Sequence, residues 1–369
     1  MARKITIEDV ARKSDASITT VSMVLRDKPG IGAETRQRVL AVARELGYQR
    51  RVPLETAGRK ALNVGMILRS RARSPKESTP SVNDFYSWVV TGIETAARAH
   101  RMNLLYATLP VDDANRPIDI PHHLLDQSLD GIMLVGSFCA ETVAELVSAR
   151  ATPAVLIDGP AVPSCHDAVV SDNEGGARDA VRHLITLGHR NIALLGPDPR
   201  LDPNFNQRGD GYLQAVSERG LPTHHIQVDQ TGPNAVVEAM SEALDRNPEM
   251  TSVFACNDWF AIEAIRALQQ LGRVVPDDVS VMGFDDIAPA EQISPQLTTM
   301  AVDKITMGRL AVLMLNQRLT WPDSSPALTI LRPSLRIRQS VRAIEAQSEV
   351  ANPPRIDPAI PRAYRSEAG

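Results

Sequence analysis

The first fifty residues show apolar positions at helical spacing in three short stretches. Thr6 is followed three positions later by an acidic residue, which is typical of a helix capping box, and Ser17 is placed to cap a second helix over Ile18–Leu25. A third stretch with the same spacing covers about residues 33–46. The pattern therefore predicts a small all-α unit of three helices over residues 1–50.

Beyond residue 61 the pattern changes to short apolar runs that alternate with helical stretches. The runs that predict strands are Asn63–Leu68, Asn103–Tyr106, Gly131–Val135, Ala154–Ile157, Asn191–Leu195, Ser252–Ala255 and Val279–Gly283. Helical spacing is found in Ser87–His100, Ala177–Leu187 and Trp259–Leu271. This alternation is typical of parallel sheets with helices on both faces.

Two segments lack either pattern. Residues 51–61 are basic and contain Pro53, so they are predicted to form a hinge or linker. The last thirty residues contain four prolines and mixed charge, which predicts a disordered tail over residues 341–369. The predicted order is a headpiece over residues 1–50, the linker, a core over residues 62–340 and the tail.

Composition narrows the class of protein. A length of 369 residues suits roughly two or three domains, and 43% hydrophobic with 23% charged residues excludes a chain that is disordered throughout. No run approaches the about 18 apolar residues of a membrane span, and the N-terminus has no apolar signal core. The three cysteines show neither disulfide nor metal-ligand spacing. We therefore expect a cytoplasmic protein without membrane contact, metal or cofactor.

Charge is distributed unevenly along the chain. Residues 1–60 contain 13 basic and 7 acidic residues, a balance of +6, although the whole chain carries −4. The remaining residues therefore carry −10. A small basic head on an acidic body indicates that the head, rather than the body, binds a polyanion.

The first two predicted helices and the turn between them have the layout of a helix-turn-helix, whose second helix enters the major groove of DNA. The N-terminal end of that helix carries Ser17, Ile18, Thr19, Thr20 and Ser22. Short hydroxyls can bond base edges or phosphates, and Ile18 can contact a thymine methyl. The alternative is that Ser17 only caps the helix and that Thr20 and Ser22 only face solvent.

One motif in the head and five in the body, in the same order, resemble those of a known family. The head motif comprises Ile5–Ala11, Thr20–Ser22 followed by Val24 and Leu25, Thr35-Arg36, and Leu46–Tyr48. The body motifs are Leu187–Ala193, Arg208–Tyr212, Asn257-Asp258, Gly283–Asp286, and Leu297–Thr299 after Pro295. Over roughly residues 5–340 the chain resembles the lactose/galactose repressor (LacI/GalR) family of transcriptional regulators.

The resemblance implies a DNA-binding set that extends beyond the second helix. Its members would be Thr6, Ser17, Ile18, Thr19, Thr20, Ser22, Met23, Arg26, Thr35, Tyr48 and Leu54. The chain departs from the family at Met23, where arginine is usual, and at Arg26, where asparagine is usual. The linker also lacks the family's hinge-helix pattern and contains Pro53. Leu54 is the candidate for an apolar wedge in the minor groove.

The same resemblance implies an N-terminal all-α helix-turn-helix headpiece joined to an α/β core of two parallel-sheet lobes, like the periplasmic sugar-binding proteins. The first lobe is expected to comprise about residues 62–160 and 303–330, and the second about residues 161–302 and 331–340. A small effector would bind between the lobes, because ligands bind at the carboxyl ends of parallel strands.

Polar residues at predicted strand ends supply the candidate effector site. Asp158, Asn257 and Asp285 directly follow apolar runs. Arg208 matches the arginine with which the family contacts ligand hydroxyls or carboxylates. The aromatic candidates are Phe85, Tyr86 and Trp259, the last of which could equally pack in the core. Acidic, amide and guanidinium groups beside an aromatic wall suit a polyhydroxylated ligand such as a sugar.

These features predict a transcriptional regulator, a repressor, that binds double-stranded DNA at a palindromic operator as a homodimer and responds to a sugar-like effector. The alternative is a periplasmic-type small-molecule-binding protein without a DNA role, which the basic head opposes. An enzyme ranks third, because the chain has no P-loop or comparable motif, and no catalytic residue is assigned. The pairs His122-His123 and His224-His225 are not expected to bind metal.

Overall fold

The structure is a computed structural model that describes residues 6–25, 31–46, 61–70, 84–112, 116–118, 129–138, 152–159, 166–198, 202–228 and 234–344. The chain divides into two compact units, residues 1–60 and residues 61–369. The division falls within the predicted linker, and each unit has its own hydrophobic core.

The small unit contains three helices, α1 (Ile7–Lys13), α2 (Ile18–Leu25) and α3 (Ala33–Glu45), as predicted. Thr6 and Asp9 form the capping box. The Thr6 hydroxyl accepts from the Asp9 N–H at 3.3 Å, and the Asp9 carboxylate accepts from the Thr6 N–H at 2.9 Å. Val10, Val21 and Val39 come one from each helix and are fully buried. The apolar stripes of the three helices therefore close one small core.

The first lobe of the large unit is built on a six-stranded sheet. Its strands are β1 (Leu62–Ser70), β2 (Met102–Pro110), β3 (Gly131–Val135), β4 (Ala154–Ile157), β5 (Asp167–Ser171) and β11 (Leu328–Leu331). Their order is β11-β5-β4-β3-β1-β2, and every described pair is parallel. Helices α4 (Asp84–His100) and α9 (Lys304–Thr320) pack against this sheet.

The second lobe repeats this plan. Its strands are β6 (Ile192–Gly196), β7 (His224–Gln227), β8 (Ser252–Ala255), β9 (Ser280–Asp285), β10 (Thr298–Ala301) and β12 (Ser334–Arg336). The order is β12-β10-β9-β8-β6-β7, parallel except for the β10–β12 pair. Its helices are α5 (Asn173–Thr186), α6 (Pro203–Ser217), α7 (Ala235–Arg246) and α8 (Asp258–Gln270). The prediction of two parallel-sheet lobes is confirmed.

Strand β5 corrects the predicted boundary between the lobes. The sequence places residues from about 161 onward in lobe two, but Val155 pairs with Asp167 and Ile157 with Val169, so β5 belongs to lobe one. The chain passes to lobe two only after β5, returns between β10 and α9, and crosses a third time between β11 and β12. A strand of five residues with a polar residue at each end offers too short an apolar run to be predicted.

The start of the predicted disordered tail also needs correction. Residues 341–344 are tied to lobe two: the Arg342 N–H donates to the Ser280 hydroxyl at 3.1 Å, and the Ile344 N–H donates to the Leu187 carbonyl at 2.9 Å. The buried His189 ring lies with Nε2 3.1 Å from the Arg342 carbonyl oxygen. The core thus extends to residue 344, and the rest of the predicted tail lies outside the described residues.

Helices α4 and α9 approach each other so closely that two glycines are required. A Cβ at Gly92 would overlap the carbonyl oxygen of Ile305, and a Cβ at Gly308 would overlap that of Val89. At its far end α4 stops before Arg101, whose φ is +56° and whose carbonyl accepts from the Leu62 N–H at 3.2 Å. One end of α4 is therefore bonded to the first strand of the core.

Candidate functional site

The N-terminal end of α2 divides its side chains into two groups. The Ser17 hydroxyl accepts from the Thr20 N–H at 3.0 Å and lies 2.8 Å from the Thr20 hydroxyl, so these two residues cap the helix. Ile18 is 50% exposed, and Thr19 is also exposed. An apolar group and a hydroxyl at the start of this helix are suited to the methyl groups and polar edges of bases.

The other DNA-binding candidates have different surroundings. Thr6 is exposed but its hydroxyl is engaged in the capping box, while Ser22, Met23 and Thr35 are half-buried. The candidates Arg26, Tyr48 and Leu54 lie outside the described residues. Their assignments, and the proposed wedge at Leu54, stay predictions.

In the core, polar residues from both lobes line one cavity of about 90 Å³. Six of the seven predicted effector residues line this cavity: Phe85, Tyr86, Asp158, Arg208, Asn257 and Asp285. The carboxyl ends of β4, β8 and β9 place Asp158, Asn257 and Asp285 at adjacent sheet edges. The remaining lining residues are Arg69, Asp202, Asn204 and Phe205.

Arg208, on α6, has its guanidinium fixed on several sides. Nε donates to Oδ1 of Asn173 at 2.9 Å, and Nη1 donates to the carbonyl oxygen of Cys256 at 2.7 Å. Nη2 forms an ion pair with Oδ1 of Asp285 at 2.9 Å. The guanidinium carbon also lies 4.0 Å from the centroid of the Phe284 ring. The planar fork is therefore oriented before any ligand arrives.

Asp158 has one carboxylate oxygen bonded and one not. It follows β4 with a φ of +56°, and its Oδ2 accepts from the Tyr86 hydroxyl at 2.9 Å. Burial raises the pKa of Asp158 to about 7, although the Arg208 charge acts to lower it. Oδ1 is buried and has no hydrogen-bond partner. A buried polar atom of this kind is costly and calls for an explanation such as a ligand contact.

Several bonds cross the cleft between the lobes. Arg69, at the end of β1 in lobe one, donates from Nη2 to Oδ2 of Asp202 in lobe two at 3.0 Å. The Ser137 hydroxyl reaches the other oxygen of Asp202 at 3.4 Å. Asn204 Nδ2 donates to the carbonyl oxygen of Asp158 at 3.2 Å. Side chains of the two lobes are thus bonded to each other close to Asp158.

Lys304 forms a further connection at the base of α9. Its Nζ donates to the carbonyl oxygens of Asp285 at 2.5 Å and Asp286 at 2.9 Å, and lies 5.7 Å from the centroid of the Phe85 ring. Burial lowers the pKa of Lys304. Asp285 itself has a φ of +117°, and burial raises its pKa. Strained backbone at both Asp158 and Asp285 is the kind of feature that clusters at functional sites.

Trp259 does not join the other predicted effector residues. It is 54% exposed and packs only its edge against Phe260, with ring centroids 4.9 Å apart. Helix α8 turns Ala261, Ile262 and Ile265 inward, which directs Trp259 to the outer face of the helix. The hypothesis that it faces the cleft is not supported by its position.

The sequence alone does not identify two kinds of residue at this site. Asp202 has a local signal, because an aspartate followed by a proline is typical of the start of a helix, here α6. Arg69 and Asn173 carry no local signal, because their partners lie 133 and 35 residues away in the sequence. Only the assembled topology brings Arg69 to the cavity and Asn173 to Arg208.

A larger groove of about 690 Å³ lies beside the segment in which the chain passes from β10 back to α9. Trp88, Arg332 and Arg336 line it, together with the crossing segment before α9. Among the described residues that line it, only Lys304 is charged and buried, and its ammonium is already bonded to carbonyls. The smaller cavity concentrates buried charge and polar groups from both lobes, and it is the better candidate site.

Within the described ranges, no helix combines the length and the apolar character needed to cross a bilayer. The same ranges contain no group of three or more His, Cys, Asp or Glu residues arranged to hold a metal ion.

A helix-turn-helix unit joined in one chain to a two-lobed fold with a polar interlobe cavity defines a regulator that couples DNA binding to a small molecule. The sequence profile of bacterial regulatory proteins of the lacI family matches residues 6–51, and that of the periplasmic binding protein-like domain matches residues 181–341. The chain belongs to the lacI family of bacterial regulatory proteins. It is a DNA-binding regulator of transcription, as the sequence predicts.

Individual relatives agree over nearly the full length. The HTH-type transcriptional regulator DegA of Bacillus subtilis (strain 168) is 33% identical over 312 residues, which cover 83% of this chain and 88% of DegA. Catabolite control protein A of Priestia megaterium is 27% identical over 343 residues, or 92% of this chain and 99% of the relative. The transcriptional regulator CelR–cellobiose complex superposes with a TM-score of 0.64 at 26% identity, covering 91% of this chain and 100% of CelR.

Proposed function

We propose that the chain is a cytoplasmic repressor that binds a palindromic operator as a homodimer and acts by binding alone, without catalysis. A sugar or related metabolite bound between the lobes would control its affinity for the operator. The observation that carries this proposal is the convergence of buried Arg208, Asp285 and Asp158 from two lobes on one cavity, with one oxygen of Asp158 unpartnered.

The DNA-binding function is assigned to α2. Ile18 and Thr19 face solvent at the start of this helix, where a helix-turn-helix presents side chains to the bases. Ser17 and Thr20 are assigned to capping, because their hydroxyls already bond each other. At the start of the helix they are also assigned to contacts with DNA phosphates. A single headpiece reads one half-site, which is why we assign a homodimer and a two-fold operator.

The effector-binding function is assigned to Arg208, Asp285, Asp158, Asn257, Tyr86 and Phe85. Relatives support a sugar: CelR was solved as a complex with cellobiose. The cavity of about 90 Å³ is smaller than ligand sites of about 300–1,000 Å³. The lobes must therefore separate or shift before an effector enters.

Regulation would follow from that shift. The bonds that cross the cleft, Arg69 with Asp202 and Asn204 with the Asp158 carbonyl, exist in one arrangement of the lobes. An effector that binds one arrangement of the lobes better than another changes the populations of the two. Domain assignments consistent with this are a headpiece over residues 1–50, a linker over residues 51–61 and a core that extends to residue 344.

Deletion of residues 1–60 tests the division of labour. The truncated protein should bind no operator in a fluorescence anisotropy titration. It should retain the thermal shift that the effector gives the full chain. An effector at 100 times its Kd stabilises the protein that binds it by about 2.7 kcal/mol. Operator binding by the truncated protein would contradict the assignment of DNA recognition to the headpiece. Loss of the effector shift would contradict the assignment of the effector to the core.

A further inference from the structure

The two arginines that line the cavity are each already paired with a carboxylate. Among the described lining residues the cations are Arg69 and Arg208. Arg69 is bonded to Asp202 at 3.0 Å and Arg208 to Asp285 at 2.9 Å. All four side chains are at most 11% exposed. Both cations are therefore neutralised out of contact with bulk water.

What remains available in the cavity is an acceptor. Asp158 is 4% exposed, its Oδ2 is bonded to the Tyr86 hydroxyl, and its Oδ1 has no donor. A ligand hydroxyl can donate to Oδ1 without displacing the bond that Oδ2 accepts from Tyr86. Above about pH 7, where Asp158 is ionised, a ligand phosphate or carboxylate offers no such donor, and its charge would lie near three carboxylates.

An anion would have to take an arginine away from its carboxylate. Either Asp202 or Asp285 would then remain buried without the arginine that balances its charge, which is strongly unfavourable. We propose, on the basis of the proposed function, that this cleft selects an uncharged, hydroxyl-bearing effector and rejects phosphorylated or carboxylated ones. Asp202 is the residue that sets this selectivity, because it neutralises the cation that is not held by Asp285.

Asp202 can be changed without losing its structural role. It is the N-cap of α6, where its side chain accepts from the Asn204 N–H at 3.0 Å. Asparagine is as good an N-cap as aspartate. Asp202→Asn therefore removes the charge that neutralises Arg69 while it keeps the cap and the shape of the side chain.

The test uses matched neutral and phosphorylated probes with the full-length protein. Calorimetric titrations would compare ribose with ribose 5-phosphate, glucose with glucose 6-phosphate, and cellobiose with cellobiose 6-phosphate. We expect at least one neutral sugar to bind the wild type, and its phosphate ester to bind about a hundredfold more weakly or not at all. In Asp202→Asn the difference within that pair should shrink at least about tenfold.

Asp278→Asn is the matched control. Asp278 also accepts a backbone hydrogen bond, from Val274 at 2.7 Å, but it lies exposed in a loop and does not line the cavity. This variant should retain the wild-type preference. A change as large as that in Asp202→Asn would show that any lost negative charge on the lobe favours anions, and would overturn the role of Asp202.

The possible outcomes separate this inference from the proposed function. A phosphate ester that binds the wild type as tightly as its neutral sugar would overturn the inference and leave the effector site in place. Binding by no neutral sugar of the panel would also overturn it. If Arg208→Ala binds the neutral sugar with wild-type affinity, the site lies elsewhere and the proposed function fails together with the inference.

Discussion

The headpiece and the cleft handle their functional groups in opposite ways. At the start of α2, Ile18 and Thr19 face solvent. In the cleft, Asp158, Arg208 and Asp285 are buried and bonded within the protein. A surface that meets DNA keeps its groups hydrated until the partner arrives, whereas an empty cleft must satisfy most of its buried polar groups from within the protein. Substitutions in the two regions should therefore have different consequences for stability.

The largest effect is expected from Arg208→Ala. This change leaves the Asp285 carboxylate, Asn173 Oδ1 and the Cys256 carbonyl without their donor in a buried place. We expect the free energy of unfolding of the core to fall by about 3–5 kcal/mol, because breaking a buried pair strands a charge. Urea unfolding monitored by circular dichroism would measure the change, and effector titration would show loss of response.

Arg182→Ala is the control for that measurement. Arg182 makes a comparable pair with Glu218 at 2.7 Å, but the two side chains are 47% and 35% exposed. Its removal should cost less than about 1 kcal/mol, since exposed pairs contribute little. Equal losses in the two variants would contradict the view that burial, rather than pairing, makes the cleft sensitive.

A smaller effect, in specificity instead of stability, is expected in the headpiece. Thr19→Ala should relax base preference at one position of each half-site by about 1–3 kcal/mol and leave the melting temperature unchanged. Ser17→Ala should instead lower headpiece stability by about 1 kcal/mol, because it removes the cap of α2. Anisotropy titrations with single-base operator variants would measure the first, and thermal unfolding of the headpiece the second. A stability loss in Thr19→Ala without altered preference would reverse the assignment of the two residues.

Asp158→Asn should stabilise the core while it weakens effector binding. The pKa of Asp158 in the folded protein, about 7, is above its ordinary value of 3.8, so the folded state holds a proton that the unfolded chain releases. Stability is therefore lost as the pH rises from about 4 to about 7. Near pH 7.5 the variant should be more stable by about 1–2 kcal/mol, and this advantage should vanish toward pH 4. An advantage that grows toward acid would contradict the assignment.

The smallest effect is expected in the stability of the core at acidic pH. Burial lowers the pKa of His189, which lies between the Thr251 hydroxyl and the Arg342 carbonyl. The unfolded chain then binds a proton that the folded core does not, so stability is lost as the pH falls below about 6.5. Between pH 7.5 and 5.5 the free energy of unfolding of the wild-type core should fall by on the order of 1 kcal/mol more than that of a His189→Gln variant. Residues 1–60 contain no histidine, and the unfolding of the headpiece should be insensitive to pH in this window.

The sequence predicts best what is encoded locally. Helix α2 begins and ends where the pattern places it, and β3, β4 and β8 match their apolar runs residue for residue. Each of these elements is either amphipathic with a cap or wholly apolar, so a short window contains the whole signal.

The elements that were missed depend on their neighbours. Strands β5, β7, β10, β11 and β12 are three to five residues long and contain polar positions. They form strands because a paired edge is available, a condition that no local window contains. The same reason explains the site: Asp158, Arg208 and Asp285 stand out at strand ends or in a motif, whereas Arg69 matters only through Asp202, 133 residues away.

The close contact of α4 with α9 has a mechanical consequence. With 17 residues, α4 spans about 25 Å. Phe85 and Tyr86 stand at its cleft end, and Arg101, just beyond its other end, is bonded to Leu62, where the chain enters the core. Gly92 and Gly308 let the backbones of the two helices pack in direct contact. Because packed interiors are not easily compressed, α4 is expected to move as one rigid element. A displacement of Tyr86 by an incoming molecule should therefore be transmitted along α4 to Arg101 and to its backbone bond with Leu62, the first residue of β1.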